Sequence, residues 1–181
     1  MKRFAAPLVL GLALLAGSSA QAEGFNAGIE LQDKVSLSDI GLPAYPGAVL
    51  VKDLDKNGKE DKGSFGFSLW GGSFGLKLSL LKYRSTDSMD KIGAFYRDAM
   101  GRYGKVLDCS MTAPSSDDEK TDNGKSEGKK NISLRCSKDD VKPGKLVIKV
   151  GKDEKHFRMV VMERQSGNVE FQLLNLSING D

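Results

Sequence analysis

The chain has 181 residues, with 27 basic and 24 acidic side chains, a formal charge of +3 and 39% hydrophobic residues. That near-balance excludes the dense Lys and Arg footprint of a nucleic-acid-binding domain, and the length suits one domain large enough to bury a core. Two cysteines and one histidine are a thin supply for a zinc site, which takes three or four ligands, so neither a metal nor a cofactor is expected.

The first residues follow the pattern of a secretory leader. Lys2 and Arg3 precede an apolar run from Phe4 to about Gly17, and Ser18-Ser19-Ala20-Gln21-Ala22 forms a small-residue exit. The Ala20-x-Ala22 pair places the cut between Ala22 and Glu23, making 1–22 a cleavable signal peptide. Glu23 stands where lipoprotein processing needs a cysteine. The apolar run is shorter than the ~20 residues of a membrane span, and no second long run follows. No transmembrane segment is expected in the mature protein, whose balance falls to 25 basic against 24 acidic residues once Lys2 and Arg3 are removed. The expected compartment is the periplasm or the medium.

Residues 23–42 have no strong period and read as a lead-in segment with a short helical turn around Leu37-Ser38-Asp39-Ile40. The remainder, 43–181, reads as a single domain. Tyr45-Pro46-Gly47-Ala48 predicts a type II turn, with Pro46 presetting φ and Gly47 taking positive φ. A first strand follows over 48–54. Asn57-Gly58 predicts a hairpin tip, a return strand covers 64–70, and Gly71-Gly72 reverses the chain. Phe74, Leu76, Leu78 and Leu80 then alternate with small or polar residues, the mark of a half-buried strand.

The stripe Met89, Ile92, Phe95, Ala99, Tyr103 predicts the main helix. Thr86, Asp87 or Ser88 can cap it and Gly104 can stop it. Period-two patterns at 106–110, 131–136, 145–150, 156–164 and 169–178 predict strands, and their short connections favour antiparallel pairing. Residues 112–130 hold almost no apolar side chain and read as a disordered polar loop. The predicted fold class is α+β: a meandering antiparallel sheet with one main helix packed on one face.

Cys109 and Cys136 both fall on the apolar side of their predicted strands. Export favours their oxidation, so a disulfide is expected, with the strands at 106–110 and 131–136 pairing as a hairpin around the polar loop.

Candidate sites are few. Asp53, Asp55, Asn57 and Gly58 follow the start of a calcium loop, but Ser64 stands where the bidentate glutamate belongs, and a hairpin tip is the better reading. His156 would have to serve any Ser-His-Asp or Cys-His mechanism, yet no Gly-x-Ser-x-Gly elbow accompanies it. An ordinary strand-face histidine is the simpler expectation. The aromatic side chains read mostly as core, with Trp70 beside Gly71-Gly72 as the one candidate ligand contact.

The Leu42-Pro43-x-Tyr45-Pro46-Gly47-Ala48 motif, followed by a helix carrying Phe95-Tyr96-Arg97 and ending in glycine, resembles a loose group of uncharacterised exported bacterial proteins. The resemblance covers roughly residues 42–110 and implies a small α+β domain in a bacterial envelope. It brings no activity or catalytic residue with it. The expected function is a non-enzymatic binding or interaction module whose partner is an envelope protein or small ligand. The alternatives are a hydrolase-like enzyme or enzyme accessory using His156, and a structural envelope assembly subunit.

Overall fold

The computed structural model describes residues 26–51, 53–54, 60–61, 63–110 and 133–180. The leader with its cut at Ala22 and Glu23, the Asn57-Gly58 tip and the polar stretch 112–130 lie outside the described residues.

In chain order the elements are β1 (Ala27–Gln32), α1 (Leu37–Ile40), β2 (Val49–Leu50), β3 (Asp53–Leu54), β4 (Glu60–Asp61), β5 (Ser64–Gly71), β6 (Phe74–Ser85), α2 (Met89–Gly101), β7 (Leu107–Asp108), β8 (Lys145–Asp153), β9 (His156–Gln165) and β10 (Asn168–Asn179). Eight strands form one antiparallel sheet in the order β1-β5-β6-β10-β9-β8-β7, with β2 also on β6, while β3 and β4 make a separate two-stranded ribbon. The sheet is therefore not one continuous meander. After β6 the chain crosses by α2 to the far edge and meanders back through β8 and β9, so that β10 closes against β6 in the middle.

Local chemistry explains most of these elements. Gly47 has φ 76°, and the Ala48 amide donates to the Tyr45 carbonyl at 3.1 Å, closing the predicted turn. Gly72 (φ 58°) reverses β5 into β6. The Lys91 amide donates to the Ser88 hydroxyl at 3.3 Å at the start of α2, relieving one of the unpaired N–H groups of the first turn. The predicted 48–54 strand is split into β2 and β3, the latter pairing with β4 around the expected hairpin.

Two expectations need correction. The stretch read as an unpatterned lead-in contains a six-residue strand, β1, that pairs with β5; its alternation of Ile29 and Leu31 with Glu30 and Gln32 is too short to stand out by period alone. Among the described residues the hairpin expected between 106–110 and 131–136 does not form. The two-residue β7 pairs with β8 instead, and 133–137 carries no strand.

The main core lies on one face of the sheet, here called the helix face. Ile92, Tyr96 and Met100 of α2 pack there on Ile148, Val160, Phe171 and Leu173, all fully buried. Tyr96 contacts Phe171 (centroids 5.7 Å apart), and Tyr83 stacks on Phe171 at 5.7 Å. The short α1 shares this face. Its last carbonyls would otherwise lack partners, but Asn175 Nδ2 donates to the Asp39 carbonyl at 2.8 Å, Arg158 Nε to Ile40 at 2.9 Å, and the Tyr103 hydroxyl to Gly41.

Candidate functional site

The Cys109–Cys136 disulfide is present and joins residues 27 apart in sequence. Cys109 lies opposite Val147, since its amide donates to the Val147 carbonyl at 2.9 Å. This places the bridge on the sheet face away from the helices, where Cys109, Cys136 and Val147 form a second small core with Leu107, Met159 and Val161. Beside it Lys149 Nζ meets Asp140 Oδ2 at 2.6 Å with both side chains about 10% exposed. Burial works to raise the Asp140 carboxyl, but hydrogen bonds from Lys149 and Ser137 outweigh it and hold the group below the usual carboxylate range.

The motif at 42–48 and the motif at 95–97 are physically one feature. Tyr45, 5% exposed, sets its ring edge-on to Phe95 at 5.2 Å and donates its hydroxyl to Asp87 Oδ2 at 2.7 Å. Lys91 Nζ meets the same carboxylate oxygen at 3.0 Å. The Tyr96 hydroxyl donates to the Pro43 carbonyl at 3.3 Å, and Arg97 Nη2 reaches Asp108 of β7 at 2.7 Å. The Leu-Pro-x-Tyr-Pro-Gly turn is thus a strap clasped onto α2, a structural role.

His156 sits on the helix face beyond α1, with its Nδ1 3.1 Å from Asp153 Oδ1 and its Nε2 3.2 Å from Asn179 Oδ1. A carboxylate does accompany it, as acid–base chemistry would want. The remaining ring nitrogen, however, is engaged by an amide, where a triad would present a nucleophile. Asp153 also accepts from the backbone amides of Lys155 at 2.9 Å and His156 at 2.8 Å, so this trio knits the β8–β9 turn to the end of β10. Among the described residues no group of three or more His, Cys, Asp or Glu side chains is placed to hold a metal.

Trp70 is 42% exposed. Its indole lies over Gly28 on the neighbouring strand, where a Cβ would come within 2.5 Å of the ring. The register puts Trp70, Gly75 and Asn179 on the helix face, so Trp70 shares a polar surface with His156 and stands apart from the largest apolar surface.

That surface is the feature sequence reasoning missed. In an antiparallel sheet, apolar side chains one residue out of phase point to the opposite face. The three longest strands, β6, β9 and β10, change phase midway. In β6, Leu81 and Tyr83 enter the helix-side core while Leu76, Leu78 and Leu80 face the other way. In β10, Phe171 and Leu173 face the helix while Leu174, Leu176 and Ile178 do not. The change is in register across the sheet, because Leu81 pairs with Leu173 and Leu80 with Leu174. In β9 it falls between Val160, which faces the core, and Met159.

Beyond this line the two faces exchange character. The helix face becomes polar, with Lys77, Ser79, Asn175 and Ser177, and the opposite face becomes wholly apolar. Phe65, Phe67 and Leu69 of β5 extend that apolar block, as do Ile29 and Leu31 of β1. Phe65 is 46% exposed, Ile29 70% and Leu31 68%, and the Leu and Ile positions of β6 and β10 are half-buried. Apart from Met159 and Val161 at its β9 margin, the block belongs to neither core.

One border of the block is ionic. Glu170, 7% exposed, receives Arg84 Nη2 at 2.6 Å and Lys82 Nζ at 3.0 Å. Burial pushes its carboxyl up, and the two cations more than offset that and hold it below the usual range. At the other edge of the block β1 is the last strand of the sheet, and no strand among the described residues pairs with its outer side.

No helix among the described residues is long and apolar enough to cross a membrane. No known family matches the sequence, and no curated protein or solved structure matches it either.

Proposed function

We propose that this protein is an exported, non-enzymatic binding module of the periplasm or medium that works through the open apolar face of its sheet. The observation carrying this reading is the in-register phase change. A sheet whose strands keep polar residues on one side and Leu, Ile and Phe on the other has its apolar side specified for burial, and exposed contiguous apolar patches mark interaction sites. The Cys109–Cys136 disulfide fits an oxidising compartment, in keeping with the leader pattern at 1–22.

The test compares immobilised wild-type protein with a Leu78→Glu/Leu176→Glu variant for retention of envelope components. These two residues are opposite each other at the centre of the block. The expected result is loss of the specifically retained components on the variant. Equal retention by both, or retention abolished only by changes at His156 or Trp70, would overturn the reading.

A further inference from the structure

We infer that the occupant of the open face is a second copy of this chain, two sheets packing face to face as a two-fold sandwich. This rests on the binding reading above and names its partner. Shape is the first argument. The block runs across five adjacent strands, β1, β5, β6, β10 and β9, and ends on the β1 side at the last strand of the sheet among the described residues. Among the described residues no element walls this face in, whereas small-ligand sites are concave and bury most of the ligand. The surface that complements a sheet face is another sheet face about 10 Å away, and this chain carries one.

Area is the second argument. Five strands at about 4.8 Å spacing and six residues at about 3.3 Å rise give a face of roughly 24 by 20 Å, on the order of 480 Å² per copy. Two copies remove about 1,000 Å² before side-chain relief is counted, which reaches the size at which specific interfaces begin. A two-fold pairing brings the same patch from each copy together, as isologous dimers do, so one self-complementary apolar surface suffices.

Charge is the third. A face built for an anionic membrane keeps cations available at its rim. Here the rim cations Lys82 and Arg84 both contact the buried Glu170 carboxylate. Both cations of this border are thus engaged by one buried carboxylate, and an apolar centre bordered by paired ions is the ordinary anatomy of a protein interface.

The experiment is sedimentation velocity of the native, disulfide-intact protein over about 0.1–100 µM, a range that spans ordinary homodimer affinities. The expected result is a concentration-dependent shift from monomer to dimer. Leu78→Glu or Leu176→Glu should each raise the dissociation constant at least about 30-fold, the effect of losing a central interface residue, while Thr86→Glu, outside the block, leaves it unchanged. Should the charged variants fail to fold, carbene labelling of the wild type decides, with labelling of Leu78, Leu176 and Phe67 falling as concentration rises. A monomer at every concentration, or a dimer whose protection lies elsewhere, overturns the inference. If the protein stays monomeric but phospholipid vesicles or envelope extract protect the block, the second copy is wrong and the binding reading stands. If nothing protects the block, both fall.

Discussion

Removing the disulfide by Cys109→Ala/Cys136→Ala perturbs the unfolded chain more than the folded one. The bridge joins residues 27 apart, and the chain-entropy relation gives about 3.6 kcal/mol for a loop of that size at 25 °C. Both sulfurs are buried against Val147, so truncation to alanine adds a packing loss of the same sign. For a protein of this length the entropic part alone lowers the melting temperature by about 7–14 °C. Urea unfolding of oxidised wild type and the double variant measures the difference. Loop length supplies an internal control: deleting residues 114–129 shortens the closed loop to about 11 residues, and the bridge should then contribute about 0.8 kcal/mol less. A double variant within about 1 kcal/mol of wild type, or a contribution indifferent to the deletion, would refute the entropic account.

Other substitutions probe the clasp, the ion pairs and the buried polar atoms. Tyr45→Phe removes the hydroxyl bonded to Asp87 and should cost about 1 kcal/mol in chemical denaturation, whereas Tyr45→Ala, which also empties the contact with Phe95, should cost roughly 3–5 kcal/mol. The Ser79 hydroxyl is buried without a hydrogen-bond partner among the described residues, so Ser79→Ala should be neutral or stabilising by up to about 1 kcal/mol in the same assay. Acid should destabilise the fold through its carboxylates. Asp39 is held down to about 2 by hydrogen bonds from Ser36 and then Lys77, and Glu170 and Asp140 also lie below their ordinary values. A carboxyl whose folded pKa is depressed contributes full stability above its unfolded pKa and loses it as pH falls through the folded one. Thermal stability should therefore be flat above about pH 5 and fall steadily toward pH 2; a maximum at pH 3 would contradict these assignments.

Local chemistry made much of the fold legible. Ser88, the Pro46-Gly47 turn and the Gly71-Gly72 reversal act through short-range preferences that a sequence displays directly. The helix itself follows from its period, but its buried face continues from Met89 and Ile92 through Tyr96 and Met100, where the expected stripe has Ala99 and Tyr103, and it ends at Gly101. The cysteine pairing follows from the number of cysteines and the export that the leader pattern leads one to expect, although the β-strand context expected around Cys136 does not form. What the sequence concealed is long-range. That β10 returns to the centre against β6 depends on pairing across the whole fold. The alternation at 74–80 marks a half-buried strand, as β6 is, but the face it buries depends on where α2 lies. The available sign was the pairs Leu80-Leu81, Leu173-Leu174 and Met159-Val160, adjacent apolar residues that shift the alternation by one. Only the register reveals that these shifts align, and it is their alignment that turns scattered leucines into one surface. Trp70 is an aromatic at a glycine turn, and its neighbour is Gly28, on the opposite side of the sheet from the apolar block.

The central claim is that this block is covered when the protein is at work. Carbene labelling of the native protein in the cells that make it, compared with the purified protein at high dilution, tests it most directly. The account predicts that Leu76, Leu78, Leu174 and Leu176 are labelled on dilution and protected in place, with Trp70 and His156 unchanged between the two. Equal labelling of the four residues in both settings, or protection confined to the Trp70 and His156 side, would contradict it.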